Sequence, residues 1–297
     1  MICAPPSLIW WTTCAPKSCK MTLARRTLFG LELINDDSFD ATIDSMMQFS
    51  TQYDAAAGKY PLLFTPNVDD VVKLHEKRYA ALAEVLKKSY YILPDGQPVI
   101  WASRWLGKPL KRRLPGSELF PILWKRMVAE NRKVMVVAPS EKVGELLQKE
   151  LPSLVCYVPP FFDENDPAAV LRVVKEARAV MENHRPEFVF LGIRFPKQNY
   201  IALGMMGADI PWSEEVQNRP DTQTSAAQVM QQPPLFLLLG ASYEFYLDLK
   251  KRAPAFWQKI GMEWFYRFTQ EPGRLFKRYF IDDIRFFPIV WRERQKH

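Results

Sequence analysis

Residues 133–150 read KVMVVAPSEKVGELLQKE, and this stretch predicts the fold class most clearly. Lys133–Ala138 is an unbroken run of apolar residues after its first lysine, which is typical of a strand that is buried on both faces. Ser140–Glu150 follows after one proline and has the apolar spacing of a helix. A doubly buried strand that leads at once into a helix indicates one unit of a parallel, helix-covered sheet.

The same alternation extends outward in both directions along the chain. Because strand and helix alternate at this spacing, we predict right-handed βαβ units. The predicted fold class is α/β and Rossmann-like, a mostly parallel sheet with helices on both faces. The remaining predicted strands are Tyr60–Thr65, Tyr90–Leu93, Leu154–Val158, Phe188–Gly192 and Leu235–Gly240, and the remaining helices are Asn67–Lys88, Ser117–Glu130, Pro167–Asn183 and Lys197–Met206.

Charge is distributed unevenly along the chain of 297 residues. From Lys250 onward there are 12 Lys/Arg and 5 Asp/Glu, a difference of +7 that equals the net charge of the whole protein. The other residues carry 28 of each sign. A neutral body with a basic, aromatic end indicates work at an anionic surface.

Three segments are expected. Residues 1–25 are predicted to be a disordered leader, and three of the four cysteines lie there without enough partners for a metal site. Residues 26–250 form the predicted α/β core, in which the polar residues 207–233 are a loop insertion. Residues 251–297 form a basic amphipathic helical appendage that binds a membrane.

The carboxyl ends of the predicted strands supply the candidate site, since ligands of parallel sheets bind there. Asp95 is the candidate general base, because it follows a strand and Gly96 lets a substrate approach the backbone closely. An Asp-Gly turn that only caps its own backbone is the ordinary alternative. Thr65 and Asn67 end the neighbouring strand, where either could also be a helix N-cap.

Candidate anion-binding residues precede two of the predicted helices. Arg113 and Gly116 come before the helix at Ser117, where an arginine could pair with a diphosphate or remain a solvated charge. Lys197 and Gln198 begin a helix after Pro196, a position suited to an anion or a uracil edge, or to a solvated first turn.

The C-terminal segment has two apolar stripes at helical spacing. The stripes are Trp257, Ile260, Trp264 and Phe268, and then Phe276, Phe280, Ile284 and Phe287, with Arg274, Arg278 and Arg285 opposite the second stripe. We predict a helix in the membrane interface with its basic face toward anionic headgroups; a core-packed helix with a wet basic face is the alternative. Arg267, Arg274 and Arg278 are candidates to reach a diphosphate in the site.

Five sequence blocks together resemble one family. They are Thr65-Pro66-Asn67, Asp95-Gly96-Gln97-Pro98-Val99, the stretch from Arg113 to Leu119, Pro196-Lys197-Gln198, and the C-terminal block from Arg252-Ala253-Pro254 to Arg278-Tyr279. From about Arg26 to Asp283 the chain resembles the WecG/TagA/CpsF glycosyltransferases. Members move an N-acetylmannosamine-type or related sugar from UDP to a polyprenyl-diphosphate-linked sugar in bacterial envelope or exopolysaccharide synthesis.

The resemblance implies the chemistry and the partners. It implies Asp95 as the base of an inverting transfer, with Thr65 and Asn67 beside it. It implies a UDP-sugar donor, a polyprenyl-diphosphate-linked acceptor, no metal or other cofactor, and a cytoplasmic location at the inner face of the cell membrane. Homo-oligomerisation is left open.

Two alternatives come from departures and from charge. Val137-Ala138-Pro139-Ser140 and Val158-Pro159-Pro160 stand where the family has glycine-rich strand ends. The loss of these glycines leaves open the alternative that the protein is a catalytically inactive scaffold that binds lipid-linked intermediates. A nucleic-acid-binding protein would fit the pI of 9.1, but no recognition motif for nucleic acid is found, so we expect no nucleic-acid partner.

Overall fold

The computed structural model describes residues 23–212, 233–250, 253–254, 256–257 and 262–296. Most of the predicted leader, residues 1–22, lies outside this part of the chain. Residues 213–232 of the predicted loop insertion and Ile260 of the first apolar stripe also lie outside it.

A six-stranded parallel sheet forms the centre of the molecule, as predicted. Its strand order is β4-β3-β8-β7-β5-β6, and every neighbouring pair is parallel. A separate antiparallel hairpin, β1–β2, precedes it. The strands are β1 Arg25–Leu28, β2 Leu31–Ile34, β3 Tyr60–Phe64, β4 Ser89–Ile92, β5 Val134–Val137, β6 Val155–Tyr157, β7 Phe188–Leu191 and β8 Leu235–Leu238.

Helices cover both faces of the sheet. In chain order they are α1 Asp40–Met47, α2 Phe49–Gln52, α3 Val68–Leu74, α4 Ala80–Lys87, α5 Gln97–Trp105, α6 Gly116–Ala129, α7 Glu141–Glu150, α8 Pro167–His184, α9 Lys197–Met206, α10 Ser242–Tyr246, α11 Glu263–Gln270, α12 Pro272–Lys277 and α13 Phe286–Gln295.

Side chains that alternate along each strand build two separate cores. In β3, Leu62 and Phe64 pack on the first face, together with α3, α4, α5, α8, α9 and α13. Leu63 packs on the second face, together with α1, α2, α6, α7 and α10. The C-terminal helix and the helix that follows β4 therefore share one face, and α6 lies on the other.

The structure corrects one predicted helix. Residues 67–88 form not one helix but α3 and α4, separated by a 3-10 turn at Lys77–Tyr79. The positions that would continue the apolar stripe of α3 hold His75 and Arg78, so the stripe is interrupted. α5, which begins directly after Asp95-Gly96, was not predicted.

The C-terminal segment is helical from Pro272 to Gln295. A π-helical turn at Arg278–Asp282 and a 3-10 turn at Asp283–Arg285 join α12 to α13. Phe286 of α13 reaches the first core, where its ring lies 5.5 Å from that of Phe29. Within the described ranges, none of the helices is long and apolar enough to cross a bilayer.

Candidate active site

Three loops meet at the carboxyl end of β3 and β4. They are residues 65–67, 93–96 and 113–116. The amide of Asp95 donates to the carbonyl of Pro66 at 3.1 Å, and the amide of Leu114 donates to the carbonyl of Pro94 at 2.7 Å. These backbone bonds hold the predicted base, its neighbouring loop and the loop that carries Arg113 as one unit.

Backbone conformation disfavours a side chain at Gly96, and close packing disfavours one at Gly116. Gly96 has a backbone φ of +91°, which residues with a side chain rarely adopt. A methyl group on Gly96 would lie 3.9 Å from the Cβ of Asn67. A methyl group on Gly116 would lie 3.0 Å from Leu239 and 3.4 Å from the hydroxyl of Thr65. Gly96 therefore borders Asn67, and Gly116 borders Thr65.

Asn67 is the N-cap of α3. Its Oδ1 accepts from the amides of Asp69 at 2.9 Å and Asp70 at 3.3 Å, while Asp70 accepts from the amide of Asn67 at 3.0 Å. This capping box fixes the side chain and the loop together. The capping alternative is thus confirmed for Asn67, whose Oδ1 also accepts from Arg278.

Arg113 lies beside Asp95 and is half-buried. Its Nη2 donates to Glu118 at 2.9 Å and its Nη1 to Glu263 of α11 at 3.3 Å. Burial opposes its charge, but the charges of Asp95, Glu118 and Glu263 outweigh burial and raise its pKa. Arg113 is therefore not the solvated charge of the alternative interpretation, and it connects the base to the C-terminal segment.

Arg278 approaches the site from the π-helical turn. Its Nη2 lies 3.4 Å from Oδ1 of Asn67 and 3.9 Å from the carboxylate of Asp69, and its Nε lies 3.8 Å from Asp283. Burial opposes its charge, but Asp69 and Asp283 outweigh burial and raise its pKa. Of the three predicted C-terminal arginines, it is the one whose side chain is described: Arg267 lies in α11 and Arg274 in α12 without described side chains.

Two carboxyls near this arginine, the buried Asp70 and the half-buried Asp283, were missed by sequence reasoning. Burial raises the pKa of Asp70 from 3.8 to about 7, although the amide of Asn67 and the charge of Arg278 act in the opposite direction. Burial also raises the pKa of Asp283 to about 6. The Asn67-x-x-Asp70 spacing resembles a capping box and could have revealed Asp70; the sequence gives no comparable signal for Asp283.

Lys197 and Gln198 occupy a different part of the same sheet edge. They follow β7, two strands and about 10 Å from β3 at the usual strand spacing. Lys197 binds the carbonyl of Phe162, lies 3.4 Å from Glu164 and sits over the Phe162 ring. Gln198 is buried, and its Oε1 has no hydrogen-bond partner among the described residues.

Tyr243 of α10 closes the end of β7 between these two parts. It is fully buried, and a methyl group on Gly192 would lie 2.3 Å from its ring and 3.1 Å from Pro139. Burial raises the pKa of its hydroxyl well above the usual value. The backbone at the end of β7 is therefore covered by protein. Within the described part of the chain, no three His, Cys, Asp or Glu side chains are grouped as metal ligands.

Comparison with known proteins decides the family. The model of the glycosyl transferase WecG/TagA/CpsF family matches residues 27–297. The chain belongs to this family. As a family member it is similar to an N-acetylglucosaminyldiphosphoundecaprenol N-acetyl-beta-D-mannosaminyltransferase of Staphylococcus aureus (strain MRSA252), with 26% identity over 69% of this chain and 71% of the relative. The protein of the same name from strain MW2 is 25% identical over 72% of this chain and 74% of the relative.

Proposed function

We propose that this family member transfers a sugar of the N-acetylmannosamine type from a UDP-sugar to a polyprenyl-diphosphate-linked N-acetylglucosamine. The observation that carries the proposal is the grouping of Thr65, Asn67, Asp95 and Arg113 at one sheet edge, joined by Arg278 from the C-terminal segment. The two relatives are named for transfer of N-acetylmannosamine to an N-acetylglucosaminyl-diphosphoundecaprenol acceptor.

Asp95 is assigned the proton transfer. Its carboxylate takes the proton of an acceptor hydroxyl, the hydroxyl oxygen forms a bond to the anomeric carbon, and the bond from that carbon to UDP breaks. UDP leaves with the electron pair, and attack from the opposite side inverts the anomeric configuration. Thr65 and Asn67 border this base and would orient the acceptor or the donor sugar.

Arginines would stabilise the diphosphate charge that develops as the bond to UDP breaks. We assign Arg113 to this role because it lies beside Asp95, although its two Nη atoms donate to Glu118 and Glu263. A diphosphate would therefore displace or share one of these carboxylates. Arg278 would act from the other side, at Asn67, and we assign Arg267 and Arg274 to the same role on the basis of the family resemblance alone.

The part of the edge after β7 is assigned to the nucleotide. The Oε1 of Gln198 is buried and has no partner among the described residues, so the N3–H of a uracil could satisfy it once the edge opens to admit the base. Asn199 is also buried with both side-chain polar atoms lacking described partners. Asp95 follows β4, which lies three strand spacings, or about 14 Å, from β7, and this separation suits a donor whose sugar lies at Asp95 and whose base lies at Gln198.

The C-terminal segment is assigned to peripheral membrane binding at the inner face of the cell membrane. Phe276, Phe280, Ile284 and Phe287 are exposed, and Ile281 beside them is exposed as well. The basic side differs from the prediction, since Arg278 turns toward α3, while Arg285 stays exposed and lies 3.5 Å from Glu76. The apolar side thus faces outward, which is the orientation that inserts a helix into the interface.

A catalytically inactive scaffold is the second candidate. It is favoured by the replacement of the expected glycines after β5 and β6. Pro139, one of the replacing residues after β5, lies with Tyr243 against Gly192 at the end of β7 and covers the backbone there. In this reading, the chain would bind the lipid-linked intermediate without turning over a donor.

The distinguishing experiment is a panel of UDP-sugars tested for UDP release with a short-chain polyprenyl-diphosphate N-acetylglucosamine. Acceptor-dependent release with one donor supports the transferase and identifies that donor. Binding of the acceptor without release from any donor contradicts the transferase and supports the scaffold. UDP-binding titration in the same samples shows whether the donor pocket itself is lost.

A further inference from the structure

Two tryptophans are exposed on α5, the helix that begins directly after the candidate base. Trp101 is 49% exposed and Trp105 is 45% exposed. They are four residues apart and therefore lie on the same face of the helix. Large aromatic side chains left half in solvent are unusual for a helix that otherwise packs into the first core through Val99 and Ile100.

The C-terminal helix extends this aromatic surface. The ring of Trp105 stacks on that of Trp291 at 6.0 Å with an interplanar angle of 29°, and the guanidinium of Arg294 lies 4.3 Å from the Trp105 ring. Trp291 is itself 56% exposed. It is also the next position of the exposed apolar stripe formed by Phe276, Phe280, Ile284 and Phe287.

Exposed cations lie beside these tryptophans. No Asp or Glu occurs in α5, which carries the exposed Arg104, and α13 carries the exposed Arg292 and Arg294. The basic residues Lys111 and Arg112 after α5 do not contribute, since both pair with acidic side chains. An apolar aromatic surface bordered by cations is complementary to the interface of an anionic bilayer.

We propose that Trp101, Trp105 and Trp291 form a tryptophan patch that docks in the headgroup region of anionic phospholipid and sets the height of Asp95 above the membrane. Indole rings prefer this depth because one edge is polar and the body is apolar. At 1.5 Å per residue, Trp101 and Trp105 lie about 8 and 14 Å along the helix axis from Gly96. A rigid α5 thus holds the candidate base a fixed distance from the lipid surface.

This inference rests on the proposed function, because a base that acts on a lipid-linked acceptor must lie at a defined height above the membrane. It adds a second element, α5, to membrane binding by the C-terminal segment. The patch also connects that binding to the site, because α5 begins at Gly96.

The test is partitioning of the full chain onto vesicles of phosphatidylcholine with phosphatidylglycerol, and of phosphatidylcholine alone. Trp101→Gln is the main variant, since half of this side chain is already in solvent and the substitution has little effect on packing. Trp105→Gln is the second variant. Ile122→Gln is the matched control, because Ile122 is 48% exposed on α6, at the opposite face of the sheet.

We expect Trp101→Gln to weaken partitioning onto the anionic vesicles about tenfold, the effect of withdrawing about 60 Å² of apolar surface from the interface. Ile122→Gln should leave it unchanged. Brominated lipids should quench less fluorescence in Trp101→Phe than in the wild type. Transfer to a vesicle-embedded acceptor should fall with Trp101→Gln, while transfer to a detergent-dispersed short-chain acceptor should not.

Unchanged partitioning and unchanged quenching for both tryptophan variants would overturn the patch. A shift of Trp101→Gln from dimer to monomer with unchanged partitioning would also overturn it and assign the surface to a second copy of the chain. If partitioning falls as expected but no donor is turned over by the wild type, the patch stands and the proposed function fails.

Discussion

The Nη2 atom of Arg278 lies 3.4 Å from the Oδ1 atom of Asn67, across 211 residues of sequence. Asn67 is fixed by the capping box of α3, so the arginine meets a rigid partner. Arg113 makes the corresponding connection from the core, through Glu263 of α11. The C-terminal segment therefore contributes to the site from two directions, and its position and the site geometry are physically coupled.

This coupling predicts the effect of Arg278→Gln. The substitution removes a cation from Asn67, Asp69 and Asp283, so we expect a loss of roughly 100-fold in kcat/KM, the effect of removing one charged donor from a reacting centre. Arg285→Gln is the control, since Arg285 is exposed and pairs only with Glu76 in the described structure. It should change kcat/KM less than twofold. Equal effects of the two variants would show that Arg278 has no special role.

The buried Asp70 predicts a dependence of stability on pH. Its pKa is about 7 in the folded protein and 3.8 without burial, so between these values the folded state holds a proton that the unfolded chain has released. The contribution to stability is greatest below about pH 4, falls as the pH rises, and is lost above about pH 7.

Asp70→Asn should remove this dependence. The asparagine keeps an acceptor for the amide of Asn67 but does not ionise. In urea unfolding from about pH 5 to about pH 8, the free energy of unfolding of the wild type should fall by a few kcal/mol relative to that of the variant. Asp37→Asn, at an exposed position, should follow the wild type. The interpretation would be wrong if Asp70→Asn kept the slope of the wild type.

Gly192 predicts a stability effect at the covered strand end. In Gly192→Ala the new methyl group would lie 2.3 Å from the Tyr243 ring, so we expect a loss of about 1–3 kcal/mol in the free energy of unfolding. Gly273→Ala is the matched control, because nothing described lies within 4 Å of its methyl position in α12 and alanine favours a helix. It should stabilise by a few tenths of a kcal/mol or more. Thermal and urea unfolding measure the stability of both variants. An unchanged free energy of unfolding for Gly192→Ala would show that Tyr243 moves freely.

Much of the fold could be predicted from the sequence because its signals are local. The apolar run of β5 and the helix after it predict a doubly covered strand, and this prediction is confirmed by the placement of β5 between β6 and β7. The strand-end rule likewise led to Thr65, Asn67 and Asp95, which the structure brings together. The roles of these residues stay predictions.

Other features could not be predicted because they depend on tertiary contacts. The insertion of β8 between β3 and β7 leaves no periodic signal in the chain. The arginines opposite the apolar stripe predict a basic face, but not its partners. Arg278 meets Asp69 of α3, and Arg285 meets Glu76, which follows α3. The pKa of Asp283 arises from burial against that contact, and a sequence pattern carries no measure of burial.

In the proposed function, Asp95 removes the acceptor proton during sugar transfer. The most direct test is the single-turnover rate of Asp95→Asn with the donor that the panel identifies, beside Asp37→Asn and the wild type. We expect a loss of at least about 100-fold in the transfer rate for Asp95→Asn, with donor binding retained and Asp37→Asn unaffected. A transfer rate of Asp95→Asn close to that of the wild type would show that Asp95 is not the base.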